Sequence, residues 1–249
     1  MLTIAKNFIL ETVRNIGVFI GNTIPVFTFL LCSWGVSLAM ESSPETLDFM
    51  IKGQFLPISI MLLIFSFAFS SATTYLADLK ANSTLHWLKR TDILPATYFI
   101  GMGIGVFLLM NTVLIVVLLG YALLISMSLK SFFVIILICN FVLLAMYPLS
   151  FIIAGLVKNG KTAQSMLVPI MLIFMFSITM PSLFITLADK QPQDYYVFLA
   201  WNPMLYLTDL LQFQLNLQPQ TWLPTYQYFI ILSAICMGLM VFAKKVYMR

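Results

Sequence analysis

Residues 140–176, NFVLLAMYPLSFIIAGLVKNGKTAQSMLVPIMLIFMF, admit two incompatible folds. The centre, GLVKNGKT at 155–162, spells the phosphate-loop pattern G-x-x-x-x-G-K-[ST] through Gly155, Gly160, Lys161 and Thr162. A working phosphate loop leaves a β-strand and opens a helix, so that backbone N–H groups converge on the phosphates. Here apolar runs lie on both sides, with no charge in 131–157 or in 162–188. The turn between them has no sheet to hold it and no acidic strand end for magnesium. Short loops beside a membrane use glycine to turn and lysine to set topology. The pattern therefore reads as a decoy, and the segment as two membrane spans joined by a tight turn.

The whole composition agrees. Of 249 residues, 61% are hydrophobic and 9% charged, where a soluble domain carries about 25% charged. Lipid must be the solvent for most of this surface. The formal net charge of +4 is small and scattered, which excludes nucleic acid as a partner. Cys32, Cys139 and Cys236 each sit in an apolar run, so they read as packing residues and not as a disulfide framework or metal site. His86 is the only histidine, and no carboxylate falls inside a span. An intramembrane enzyme is excluded for want of clustered groups. No catalytic residue, metal or directly bound cofactor is expected.

Charge-free intervals locate the spans, because a charge at mid-bilayer costs roughly 3 kcal/mol or more. They cover 15–40, 53–77, 93–129, 131–157, 162–188 and 210–243, the last becoming apolar near Tyr226. Each reaches the ~20 residues that cross the hydrocarbon core. The pattern predicts an all-α polytopic membrane protein with six transmembrane helices, at about 17–39, 55–77, 96–126, 131–157, 163–188 and 226–243. Ten of the thirteen Lys and Arg fall in the N-terminal segment, the 78–95 loop, the 158–161 loop and the 244–249 tail. The other side holds Lys52, Lys130 and Lys190 with six of the nine acidic residues. The positive-inside rule puts both termini in the cytoplasm, as an even span count requires. The faint SLA site before Met40 follows an apolar stretch too long for a secretory signal, so an uncleaved anchor is expected.

Ahead of the first span, residues 1–16 place Thr3, Asn7, Glu11 and Arg14 on one helical face and Leu2, Ala5, Ile9, Val13 and Ile16 on the other. This predicts an interfacial elbow helix. GMGIG contains a G-x-x-x-G, Gly101 to Gly105, that permits close packing inside the bundle, with a dimer seam as the alternative.

Gradient-driven transporters keep ionisable residues within their spans. None lies in the first five here; Asp209 precedes the sixth, and Asn111 and Asn140 do not titrate. Energy for uphill movement is expected through the loop DLKANSTLHWLKRTDILP, residues 78–95. There Asn82 or Ser83 suits a helix cap, and Lys89 and Arg90 its C-terminal dipole. Leu85, Trp87 and Leu88 suit either a partner or the membrane interface. In NPMLYLTDLLQ, Asn202 as N-cap and Pro203 at the first helical position start a helix. Thr208, Asp209, Gln212 and Asn216 share one side of it, which predicts an amphipathic segment at the outer interface.

With these features the chain resembles the permease subunit of an ABC-2-type ABC exporter, over nearly its whole length. STLHWLKRTDILP is similar to the family's G-T-L-x-x-L-x-x-T-P-L segment through Thr84, Leu85, Leu88, Thr91 and Leu94. Ser83 stands where the family favours Gly and Asp92 where it often has Pro; its upstream acidic–basic pair is reduced to Asp78 and Lys80. Asn202, Pro203 and Tyr206 resemble its N-P-x-x-Y segment before the last span, which with Asp209 makes the extracellular helix motif. The resemblance implies a separate cytoplasmic ABC ATPase subunit that binds ATP and magnesium. Its coupling interface would be Ser83, Thr84, Leu85, Trp87, Leu88, Lys89 and Arg90. It also implies a second permease copy or a homologous permease, a lipid-embedded location in a bacterial cytoplasmic membrane, and export. A path of Phe, Met, Ser and Thr suits an amphiphilic cargo such as a drug, an antimicrobial peptide or a lipid. The alternative is a non-transporting immunity or assembly factor.

Overall fold

In hydrocarbon a chain must pair its own backbone groups, which a helix does within one segment. The computed structural model describes residues 1–39, 44–82, 95–188 and 190–247, and is 87% helical with no strand among them. The elements are α1 (Leu2–Arg14), α2 (Ile16–Ala39), α3 (Pro44–Met50), α4 (Leu56–Ile64), α5 (Ala72–Ala81), α6 (Pro95–Ala122), α7 (Leu129–Leu156) and α8 (Gly160–Leu187). A 3-10 turn (Pro192–Tyr195) then leads to α9 (Tyr196–Leu199), α10 (Pro203–Gln214) and α11 (Thr225–Tyr247). Wide π-helical turns, Ile51–Phe55 and Phe65–Ser71, join α3, α4 and α5 into one rod. Six helices are long and apolar enough to cross a membrane: α2, the rod from Leu47 to Ala81, α6, α7, α8 and α11.

The rod is the core of the bundle. Leu56, Ile60, Leu63, Phe67, Ala68, Phe69 and Ala72 are all buried, so it is covered on every side, as a helix apolar all round must be. It begins earlier than its charge-free interval because Lys52 forms an ion pair with Asp48 one turn away. By contrast α2, α8 and α11 turn apolar faces outward, through Leu31 and Leu38, Phe176, and Val241 and Phe242. The third crossing ends at Ala122, short of what its interval allows. The chain turns there, and Ser128 then caps α7 by accepting from the Ser131 N–H at 3.0 Å.

The α1 helix lies against α6 through the G-x-x-x-G of the latter. A Cβ at Gly101 would come within 2.9 Å of the Met1 carbonyl, and one at Gly105 within 2.9 Å of Phe8 Cδ1. Glycine is therefore what lets the two backbones meet. The buried stripe is Ala5, Phe8 and Thr12, while Leu2, Val13 and Ile16 are exposed. It differs from the apolar face read along the sequence because the groove on α6 selects Phe8.

Candidate functional site

Met1, Val246 and the short turn 157–159 lie at one end of the bundle, here called the basic end. Two charged side chains in the last turns of α5 organise it. Asp78 Oδ1 accepts from the N–H of Gly160, the first residue of α8, at 2.9 Å. Lys80 Nζ donates to the carbonyl oxygens of Gly155 and Val157, the latter at 3.3 Å, at the end of α7. An anion thus meets a helix N-terminus and a cation a helix C-terminus, the favourable pairing with each dipole. Asn159 Oδ1 accepts from Thr162 N–H at 2.9 Å and from its hydroxyl at 3.0 Å. A Cβ at Gly160 would collide with the Asp78 carboxylate, and one at Gly155 would come within 2.8 Å of Val246 Cγ1. The glycines of GLVKNGKT therefore admit neighbours from α5 and α11, in a turn between two helices.

At the far end, the helix begun by Asn202 and Pro203 is sunk into the bundle. Asn202 Oδ1 caps α10 by accepting from Met204 N–H at 2.9 Å, while its Nδ2 donates to the Phe174 carbonyl at 2.7 Å and to Ser177 Oγ at 3.0 Å. Phe174 lies well inside α8, about 20 Å from its Leu187 end at 1.5 Å per residue. The other end of α10 is shallow, since Ser131 Oγ, near the start of α7, donates to the Gln214 carbonyl at 3.2 Å. Asn216 then takes φ 59°, a left-handed conformation that asparagine tolerates and that stops the helix. So α10 starts deep and runs outward. Every residue from Pro203 to Leu211 is buried, Thr208 and Asp209 included. Of the polar side read from the sequence, Thr208 and Asp209 face protein, where an interfacial segment would face headgroups; Gln212 is half-buried and Asn216 exposed.

Asp209 is the hub of those partners, at 1% exposure. Its Oδ2 accepts from Tyr228 hydroxyl at 2.5 Å and from Trp222 N–H at 3.0 Å, and its Oδ1 accepts from Gln193 Nε2 at 3.1 Å. Gln193 also donates to Gln218 Oε1 and to the Gln220 carbonyl, each at 3.0 Å. Among the described residues no Lys or Arg pairs with this carboxylate. Burial, and secondarily the Asp209 charge, pushes the neighbouring Tyr196 phenol up to about 12. Tyr206, the third residue of the motif, donates to the Ala200 carbonyl at 2.7 Å and sets its ring edge-on to Tyr228, 5.3 Å away. One carboxylate on α10 thus ties together the 3-10 turn at Gln193, the segment at Trp222 and the start of α11 at Tyr228.

Six apolar crossings, a short helix sunk into the bundle mainly against α7 and a turn clamped at the basic end suit a membrane transport subunit. Residues 36–243 match the family model described as ABC-2 family transporter protein. The chain belongs to that family. A comparison with curated proteins found no match. The ABC-2 chain is thus a multi-pass membrane protein, the permease of an ABC transporter, and its family implies association with an ABC ATPase.

Of the ABC-2 permease's expected site residues, Asn202, Pro203, Tyr206 and Asp209 gather on α10 and its surroundings. Ser83, Thr84, Leu85, Trp87, Leu88, Lys89 and Arg90 lie outside the described residues. Sequence reasoning missed Gln193, Trp222 and Tyr228 as partners of Asp209. Tyr228 carried a faint signal, a phenol near the start of an apolar span, where a buried hydroxyl needs a partner. Asn111 and Asn140, singled out as polar, pair across α6 and α7 through two amide hydrogen bonds of 2.7 and 2.9 Å. That closes a polar pair within the bundle.

Proposed function

We propose that this chain is the permease of an ATP-driven exporter of amphiphilic or hydrophobic molecules, with a drug, an antimicrobial peptide or a lipid as cargo. Its basic end faces the cytoplasm. A separate ATPase docks on the 83–94 loop and holds the ATP and magnesium, and a second permease, identical or homologous, completes the path. The observation that carries the reading is the use of GLVKNGKT. Its Gly160 and Thr162 N–H groups already serve Asp78 and Asn159, which supports energy entering through a partner. The lysine and arginine balance supports the orientation. The apolar crossings support an amphiphilic cargo, since a highly polar one would need polar groups along its route.

The test is reconstitution of the permease, with and without its ATPase, in proteoliposomes. Three probes are followed: a fluorescent amphiphilic cation, a fluorescent phospholipid and a cationic antimicrobial peptide. Movement of at least one probe that needs both proteins and ATP is the expected result. A complex that forms but moves none of them, with ATP turnover unaltered by the permease, favours a partner-binding role without transport.

A further inference from the structure

Residues 83–94 join the start of α6 at Pro95 to the end of α5 at Ala81, so a force on that loop enters the bundle at the start of α6 and at the end of α5. That end holds two other helices. Asp78 takes the first N–H of α8 at 2.9 Å, and Lys80 takes carbonyls of Gly155 and Val157 at the end of α7. Each charge meets a helix end of opposite partial charge, and each bond is charge-assisted. Neither helix end has slack. Gly160 is buried with no room for a Cβ beside the carboxylate, and Gly155 is closed off by Val246. The α8 helix has α5 as its main neighbour and meets α7 only slightly, so its position follows α5 more than any other element. The turn between α7 and α8 is short, and Asn159 braces it internally through Thr162. The exposed Asp78 and Lys80 thus tie the end of α5 by directional contacts to the start of α8 and the end of α7.

We propose that the Asp78 and Lys80 contacts form a rigid link that carries displacement of the 83–94 loop into α7 and α8, making both side chains positioning residues of the transport cycle. The inference rests on the reading of that loop as the ATPase dock. It also gives the two glycines of the phosphate-loop pattern a purpose: they let the link seat.

The permease–ATPase complex in lipid nanodiscs tests it. Spin labels replace the exposed Lys6 on α1 and Lys158 in the turn, with the three native cysteines removed. Their separation is measured without nucleotide and after ATP–vanadate trapping. The wild-type pair is expected to shift on trapping. Asp78→Ala with Lys80→Met is expected to lose that shift while the ATPase still co-purifies and hydrolyses ATP, and Lys80→Arg, which keeps the donors, is expected to retain it. A full shift in the double variant overturns the link, as does a wild-type pair that stays still with the ATPase bound. If the double variant does not yield folded complex, Gly160→Ala decides by the same reading, since its Cβ displaces Asp78: a lost shift supports the link and a kept one overturns it. A wild-type chain that retains no ATPase refutes the docking reading instead.

Discussion

Asp209 shows how much of a site one residue can organise. Its carboxylate accepts from Tyr228, Trp222 and Gln193 at once; removing it orphans the Tyr228 hydroxyl and the Trp222 N–H, while Gln193 keeps Gln218 and Gln220 as acceptors. An unsatisfied buried donor costs about 1–3 kcal/mol. Asp209→Leu is therefore expected to destabilise the chain by about 3 kcal/mol, some of the loss being recovered by water at the far end. Asp209→Asn keeps one acceptor oxygen and should lose less. Thermal unfolding in detergent measures both, and equal stability of Asp209→Leu and wild type would contradict the hub. Asn202→Ala removes a cap and the tie to Phe174 and Ser177 together, an expected loss of about 2 kcal/mol. Hydrogen exchange at Met204 N–H should then rise. The Asn202–Pro203 start was legible because capping is local chemistry. The partners of Asp209 were not, because residues 193, 222 and 228 meet it only through folding.

At the scale of elements, the six crossings were readable because charge is expensive in hydrocarbon, and the intervals without it mark where helices sit. The ends were less readable. The rod extends beyond its interval through the Lys52–Asp48 pair, which is invisible to a rule that counts charges singly. The seat of α1 was not readable for a similar reason: its own pattern sets an apolar face with Ile9 and Val13, and only the folded chain brings up the glycine groove on α6 that takes Phe8. Gly105→Leu is expected to unseat α1. A cysteine at Thr12, protected in the native chain, should then react with a maleimide, and continued protection would count against the seat. For the 83–94 loop, Trp87→Ala and Leu85→Asp are each expected to weaken ATPase binding by about 2 kcal/mol, the usual loss at an interface anchor. Co-purification yield and ATP-dependent probe movement check this, and unchanged values would place the dock elsewhere.

For the whole molecule, the decisive ambiguity of fold lay in eight residues, and they sit between two long apolar helices with no strand beside them among the described residues. GLVKNGKT keeps its glycines because Asp78 and Val246 press against them, and its turn joins two membrane crossings. A pattern that names residues without naming the elements around them cannot distinguish that setting from a nucleotide site. Family membership and the helical bundle follow from the chain as a whole. The identity of the cargo does not, because apolar side chains facing a path and those facing lipid are the same residue types. We expect the permease to have no engine of its own. Photo-affinity labelling with an ATP analogue, together with ATP turnover, on the chain purified alone and on its Lys161→Ala variant tests that claim most directly. Neither labelling nor turnover is expected for either protein, and both when the ATPase is added, with Lys161→Ala indistinguishable from wild type in ATP-dependent probe movement. Labelling or hydrolysis by the chain alone that disappears in Lys161→Ala would contradict it.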